Sequence, residues 1–188
     1  MFYRQCLFPA MYRKVVTVFC ASKPTEEQYQ SAIELGQLLA KNNYKIVNGG
    51  NGGCMEALAL GSRKVPGGSC VGVTVSSDLP VPSNPYMTES VNAKSMFDRL
   101  DILCNKSDVI VGLPGYLGTL NEIIMAATLS YITDENKRAK KPIFVARHPW
   151  EAIWKSICEN LNLKDSHREI IQFFDTNEDL IQLINNLS

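Results

Sequence analysis

A glycine-rich segment that ends in a carboxylate is the part of the sequence best suited to chemistry. It runs from Gly112 to Glu122 and directly follows the apolar run Val109–Val111. The pattern predicts a short buried strand and then a helix that begins at Thr119, with the carboxylate one turn inside it. Glycines let an anion approach backbone N–H groups, and the helix dipole favours negative charge at that end. The segment therefore predicts a site for a phosphate and its sugar.

Glycines also cluster earlier in the chain, in Asn48–Gly53, which we call the first glycine loop; Pro114–Thr119 is the second glycine loop. The first glycine loop lies between a predicted strand, Lys45–Val47, and a predicted helix that begins at Cys54. Either loop alone is explained equally well as a tight turn between a strand and a helix. Two such loops at the same edge of one sheet favour a ligand site. We expect Gly49, Gly50 and Gly53 to border the side of the pocket opposite the second glycine loop.

The positions of the glycines argue against two common classes of nucleotide-binding protein. The loop after the first predicted strand, Cys20–Pro24, contains no glycine, whereas a dinucleotide-binding Rossmann domain carries its glycine fingerprint there. A Walker-type nucleoside triphosphatase would need a Gly-Lys-Ser/Thr ending, which neither loop has.

Strands and helices alternate along the chain, so these loops should lie at the carboxyl ends of parallel strands. We expect one α/β domain over residues 1–188, with a Rossmann-like, doubly wound parallel sheet, helices on both faces and residues 1–13 as an N-terminal extension. A surface loop is predicted over residues 78–85 because of its three prolines. The predicted strands are 15–19, 45–47, 69–75, 109–112 and 142–146, and the predicted helices are 25–42, 54–64, 93–105, 119–133, 149–161 and 176–187.

The composition favours a small-molecule site over a polyanion surface. Of the 188 residues 45% are hydrophobic, and 19 acidic side chains balance 19 basic ones, so we expect no nucleic-acid partner. No apolar run approaches the roughly 18 residues of a membrane helix. The six cysteines are scattered without a Cys-x-x-Cys pair, which predicts reduced core thiols, no metal site and a cytoplasmic location.

The second glycine loop resembles the Pro-Gly-Gly-x-Gly-Thr-x-x-Glu signature of the LONELY GUY family, the cytokinin riboside 5′-monophosphate phosphoribohydrolases that are often mislabelled lysine decarboxylases. The matching residues are Pro114, Gly115, Gly118, Thr119 and Glu122, and Tyr116 replaces the second glycine. Two further stretches carry the resemblance. Arg99 precedes Asp108 by the family's nine residues, and Asn48–Met55 resembles the family's Gly-Gly-Gly-x-x-Gly-x-Met loop with Asn48 in place of the first glycine.

The resemblance implies hydrolysis of the N-glycosidic bond of a nucleoside 5′-monophosphate, which releases ribose 5-phosphate and an adenine-type base, of which a cytokinin is one case. Glu122 would be the catalytic carboxylate that contacts the ribose and the attacking water, and Arg99 would act electrostatically. No cofactor is implied, and a homodimer is, with the apolar run Ile123–Ala127 compatible with its interface. The phosphate would be held by Pro114, Gly115, Tyr116, Gly118 and Thr119, and weaker candidates for a base pocket are Ser22, Met55 and Met96.

Each of these roles has a plainer alternative. Thr119 and Glu122 have the spacing of a helix capping box, and Arg99 could be a surface residue paired with Asp98 or Asp101. Methionines on apolar helix faces are usually core residues. Lysine decarboxylation is rejected because no lysine has the context of a pyridoxal-phosphate site.

The sequence also departs from the phosphoribohydrolase pattern. Leu100 stands where those enzymes usually have lysine, and Tyr116 replaces a glycine. Gly53–Ala57 together with Asn84–Tyr86 resembles a neighbouring branch, the molybdenum-cofactor carriers and related nucleotide-binding proteins. The alternative function is therefore a carrier that binds a nucleotide or the molybdenum cofactor without turnover.

Overall fold

The computed structural model describes residues 12–75, 83–135 and 141–187. Strands and helices alternate through most of this part of the chain, as predicted. The strands are β1 (Lys14–Phe19), β2 (Tyr44–Asn48), β3 (Cys70–Val75), β4 (Glu89–Ala93), β5 (Val109–Gly112), β6 (Ile143–Ala146) and β7 (Ile171–Phe174). The helices are α1 (Glu26–Lys41), α2 (Cys54–Arg63), α3 (Met96–Asn105), α4 (Leu117–Glu135), α5 (Arg147–Asn160), α6 (Asp165–Arg168) and α7 (Asn177–Asn185).

The described strands form one parallel sheet in the order β4-β3-β2-β1-β5-β6-β7. Thr17 of β1 pairs with Val47 on one side and with Ile110 on the other. Chain order therefore runs outward in both directions from the β1–β5 pair, which makes that pair the topological switch point where ligands bind in such sheets. The predicted α/β, Rossmann-like doubly wound fold is confirmed.

Two hydrophobic clusters cover the two faces of the sheet. One includes buried residues of α1, α2 and α7, and the other includes buried residues of α3, α4 and α5. Side chains of β1 alternate between them, so that Val18 belongs to the first cluster and Phe19 to the second. The five cysteines in the described part of the chain are free and buried, as predicted for core thiols.

The local signals at helix starts were informative. Thr25 and Gln28 form a capping box at the start of α1, where a helix was predicted: each side-chain oxygen accepts from the backbone N–H of the other residue. Within the described ranges, no helix is long and apolar enough to span a membrane.

Two strands were not predicted. β4 has the sequence Glu-Ser-Val-Asn-Ala, lies at the edge of the sheet and is largely exposed, so it lacks the apolar run of a buried parallel strand. β7, at the other edge, contains only four residues. The predicted helix over 93–105 therefore begins later, at Met96, because Ala93 ends β4 and Ser95 caps the helix. Of the predicted N-terminal extension only Tyr12 and Arg13 lie within the described residues, and 78–82 of the predicted loop also lie outside them.

Candidate functional site

A cavity of about 170 Å³ opens at the switch point, over the carboxyl ends of β1 and β5. Its wall combines the end of β1 and the residues after it, Gly49 and Asn51 of the first glycine loop, Met55 of α2, Arg99 of α3 and the start of α4. The lining residues are Val18, Phe19, Cys20, Ala21, Ser22, Gly49, Asn51, Met55, Arg99, Tyr116, Gly118, Thr119 and Glu122.

Arg99 is a buried cation inside this cavity. It lies in the first turn of α3, and only 9% of the residue is exposed. Its Nε donates to the Val73 carbonyl over 2.8 Å, and its Nη2 donates to the Gly49 carbonyl over 3.3 Å. The alternative of a surface arginine paired with Asp98 or Asp101 is wrong, because Arg99 is buried and its guanidinium lies beside the Glu122 carboxylate.

Glu122 faces Arg99 across the cavity. Arg99 Nη1 lies 3.6 Å from Glu122 Oε1, and 14% of the glutamate side chain is exposed. Burial raises the pKa of Glu122 to about 7, while the positive charge of Arg99 opposes that rise. A carboxyl group with a pKa near 7 is divided between its charged and neutral forms at neutral pH, which suits proton transfer.

The capping alternative for Glu122 is also wrong. Helix α4 begins at Leu117, two residues before the predicted start, so Thr119 is inside the helix and cannot be its N-cap. Its side chain packs against Gly115, where an added Cβ would overlap Thr119 Oγ1. Glu122 is therefore left to face the cavity and Arg99.

The start of α4 offers backbone donors to the cavity. The first N–H groups of a helix have no partner within it. The first backbone hydrogen bond at this end of α4 runs from the N–H of Leu120 to the Tyr116 carbonyl, and among the described residues the N–H groups of Gly118 and Thr119 have no hydrogen-bond partner. Both residues line the cavity. This arrangement is suited to an anion.

Tyr116 fits its loop without strain. Among the described residues other than glycine, only Asn43 and Asn162 have positive φ, so Tyr116 is not in the left-handed conformation that would strain a tyrosine. Its hydroxyl donates to the Lys23 carbonyl over 3.3 Å, and 65% of the residue is exposed. The ring therefore spans from the second glycine loop to the loop after β1.

The first glycine loop differs from the prediction. The N–H of Gly50 donates to Asn48 Oδ1 over 2.8 Å, and the N–H of Cys54, at the start of α2, donates to the Ala21 carbonyl. Gly53 has a φ of 70° and lies against the backbone of the loop after β1, where a Cβ would come within 2.5 Å of the Ser22 carbonyl oxygen. The N–H groups of Gly50 and Cys54 are therefore already used, so the prediction of N–H groups open to an anion is wrong for these two residues.

The structure brings most of the predicted site residues together. Those that line the cavity are Arg99, Glu122, Gly49, Tyr116, Gly118, Thr119, Ser22 and Met55. Those that do not are Gly50, Gly53, Pro114, Gly115 and Met96; Gly50, Gly53 and Gly115 pack against other backbone or side-chain atoms, Pro114 lines a separate cleft beside β6 and β7, and Met96 is half exposed.

Sequence reasoning missed five lining residues, which are Val18, Phe19, Cys20, Ala21 and Asn51. The first four could have been found from one signal. Val18 and Phe19 end the first predicted strand and Cys20 and Ala21 follow it, and in a doubly wound sheet the end of that strand lies at the switch point.

Comparison with known proteins places the chain in a family. The model of the SLOG cluster4 family matches residues 13–160, well over half of the chain. The chain belongs to the SLOG cluster4 family. Curated relatives of this SLOG cluster4 member include proteins named as cytokinin riboside 5′-monophosphate phosphoribohydrolases, which confirms the resemblance inferred from the glycine loops.

One relative is the cytokinin riboside 5′-monophosphate phosphoribohydrolase of Mycobacterium tuberculosis, 33% identical over 141 residues, which are 72% of this chain and 71% of that protein. Another is the probable enzyme LOGL5 of Oryza sativa subsp. japonica, 35% identical over 127 residues, which are 65% of this chain. The match spans about half of the rice protein, 51% of its length.

A solved structure with the same fold is the molybdenum cofactor binding protein of the phototrophic bacterium Rippkaea orientalis. The TM-score is 0.74, and the alignment covers 95% of this SLOG cluster4 member and 99% of that chain. The sequences are 22% identical, so the similarity establishes the shared fold.

Proposed function

We propose that the protein is a nucleoside 5′-monophosphate phosphoribohydrolase that releases an adenine-type base and ribose 5-phosphate. The observation that carries the proposal is the buried Arg99–Glu122 pair, which lies in the same cavity as the unpartnered N–H groups at the start of α4. A negatively charged phosphate and a positively charged sugar intermediate each find a complementary group there. The phosphoribohydrolase names of the relatives support the same reaction.

The phosphate end of the substrate belongs at α4. The N–H groups of Gly118 and Thr119 would bind phosphate oxygens, and the helix dipole adds a favourable field. The Thr119 side chain is fixed by packing against Gly115, so the first turn is held in one arrangement. Anchoring the phosphate in this way places the ribose one helical turn further in, beside Glu122.

Glu122 would carry out the chemistry at the sugar. Cleavage of the bond between C1′ and the base nitrogen leaves positive charge on the ribose, which the ionised carboxylate stabilises. A water adds its oxygen to C1′, and Glu122 accepts one of its protons. The base leaves with the electron pair of the broken bond and, in the overall balance, gains that proton.

Arg99 would act by charge alone, because its guanidinium stays protonated throughout the working pH range. Its bonds to the Val73 and Gly49 carbonyls fix its position before substrate arrives. It would offset negative charge that develops on the leaving base, and its proximity keeps part of the Glu122 population ionised near pH 7.

The test is release of free base from AMP and isopentenyladenosine monophosphate, followed by chromatography. We expect release by the wild-type protein and a loss of about 10²-fold or more in Glu122→Gln and in Arg99→Ala. Glu159→Gln, on the exposed surface of α5, is the matched control and should retain wild-type activity. No release from a panel of nucleoside monophosphates would contradict the proposal.

The second candidate function is a carrier that binds a nucleotide or the molybdenum cofactor without turnover. It is favoured by Tyr116, whose hydroxyl bridges to the Lys23 carbonyl beside the cavity. Under this alternative, calorimetry would detect AMP binding while chromatography detects no base. The homodimer, the cytoplasmic location and the lack of a nucleic-acid partner stay predictions.

A further inference from the structure

The first glycine loop is held in place by Asn84, a buried residue that follows β3 in the chain. Only 8% of Asn84 is exposed. Its side-chain Nδ2 donates to the carbonyls of Gly50 and Asn51, over 3.2 and 2.8 Å, and its backbone N–H donates to the Gly50 carbonyl over 2.8 Å. Its Oδ1 accepts from the N–H of Tyr86. The side-chain amide is thus used at both ends, and three hydrogen bonds of Asn84, two from Nδ2 and one from the backbone N–H, hold two consecutive carbonyls of the loop.

The loop in turn holds Arg99. The Gly49 carbonyl, which accepts from Arg99 Nη2, belongs to the residue directly before Gly50. There is no free space at this contact, since a Cβ at Gly49 would overlap Nη2. The guanidinium therefore has two anchors, one on β3 through Nε and the Val73 carbonyl, and one on the first glycine loop. A displacement of the first glycine loop must therefore change the hydrogen bond between Arg99 Nη2 and the Gly49 carbonyl.

We propose that Asn84 is a positioning residue, which fixes the first glycine loop so that the Gly49 carbonyl directs the Arg99 guanidinium toward Glu122. The proposal rests on the proposed function for its kinetic consequences. Asn84 does not line the cavity, so it acts through Arg99 and not on substrate. Displacement of a catalytic group by about 1 Å can lower the rate by about 10²-fold. Loss of one of the two anchors of Arg99 should lower the rate by part of that factor.

The main variant is Asn84→Asp. It has nearly the same shape and keeps an acceptor for the Tyr86 N–H, but it replaces two donated hydrogen bonds with a carboxylate oxygen that faces two carbonyls. Asn84→Ala removes the same donors without adding charge. The matched control is Asn42→Asp, because Asn42 also donates through Nδ2 to a backbone carbonyl, that of Leu38 over 2.8 Å, but caps the far end of α1.

We expect Asn84→Asp and Asn84→Ala to lower kcat with AMP by about tenfold or more, with KM changed less than about threefold. Asn42→Asp should stay within about twofold of wild type in both constants. Thermal unfolding of all three variants tests whether they are folded.

A pH profile separates positioning from a general structural effect. The titratable groups near Glu122 are Arg99 and Cys104 of α3 and Cys20 after β1. Of these, Arg99 carries the positive charge that lowers the pKa of Glu122. If Asn84 positions Arg99, the acid limb of kcat/KM should move to higher pH in both Asn84 variants. Loss of stability alone would leave it in place.

A measurement without turnover keeps the two proposals distinguishable. The Nε–H of Arg99 is buried and bonded to Val73, so its NMR resonance can be assigned by its absence in Arg99→Lys. We expect the resonance to shift or broaden in the Asn84 variants but not in Asn42→Asp. If the Arg99 resonance shifts or broadens in the Asn84 variants while the wild-type protein releases no base, the positioning role stands and the proposed function fails. Folded Asn84 variants with an unchanged Arg99 resonance would overturn the positioning role.

Discussion

The first glycine loop supplies a carbonyl that binds Arg99, whereas the second leaves N–H groups of the α4 first turn without a partner. Both loops connect a parallel strand to a helix and both are rich in glycine. In the first, the glycines allow close approach of protein to protein, as where Gly49 meets the guanidinium. In the second, a Cβ at Gly118 would meet open space. The same composition therefore supports the position of Arg99 in one loop and leaves N–H groups of α4 open to the cavity in the other.

Gly49→Ala should have the largest effect on this comparison. A Cβ at Gly49 would overlap Arg99 Nη2 and lie 2.9 Å from the Met55 sulfur, so the guanidinium must leave its present position beside Glu122. We expect kcat/KM for AMP to fall by about 10²-fold, measured by release of base. Gly52→Ala is the control in the same loop, because its Cβ would make only an ordinary contact, 3.7 Å from Glu56 Oε2. Equal effects of the two substitutions would refute a special role for the Gly49 contact.

Sequence alone predicts the central strands and most members of the site but not how the first glycine loop is used. β1 and β5 are apolar because both faces of the sheet are covered, and this leaves a clear pattern. The edge strands β4 and β7 have no such pattern. The conformation of the first glycine loop depends on a hydrogen bond from Asn84 to Gly50, which lie 34 residues apart in sequence. No local periodicity or residue spacing indicates a hydrogen bond between residues so far apart.

In the second glycine loop, Gly115→Ala should disturb phosphate binding. The added Cβ would overlap Thr119 Oγ1 and displace the first turn of α4. We expect KM for AMP to rise by about tenfold with a smaller change in kcat, because the N–H groups of α4 would bind the phosphate in the ground state as well as in the transition state. Gly118→Ala has space for its Cβ. It should therefore unfold at the wild-type temperature, whereas Gly115→Ala should unfold at a lower one.

The rise of the Glu122 pKa to about 7 predicts a pH dependence of activity. If the ionised carboxylate is the active form, kcat/KM should fall about tenfold per pH unit below pH 7. A profile that stays flat from pH 7 to 5 would argue against Glu122 as the group that accepts the proton.

The same pKa shift predicts a pH dependence of stability. A carboxyl group whose pKa is raised on folding binds its proton more tightly in the folded state. Its favourable contribution is complete below the unfolded pKa, about 4.5, and is lost as the pH rises to about 7. The free energy of unfolding of wild type relative to Glu122→Gln should therefore decline over this window, by on the order of 3 kcal/mol. Denaturant titrations of both proteins at several pH values measure it, and a relative stability that rises with pH would contradict the shift.

The smallest effect is expected from the hydroxyl of Tyr116. Its bond to the Lys23 carbonyl is 3.3 Å long and lies on an exposed residue, and such a bond contributes about 1 kcal/mol or less. In a phosphoribohydrolase, Tyr116→Phe should therefore leave kcat and KM for AMP within about twofold of wild type. In a carrier, the bridge from the second glycine loop to the loop after β1 would retain the ligand, so the same substitution should speed ligand dissociation. Steady-state release of base and stopped-flow dissociation of a fluorescent AMP analogue distinguish these outcomes. A dissociation rate raised by tenfold, together with no release of base, would favour the carrier, because then the second glycine loop holds a phosphate without serving a reaction.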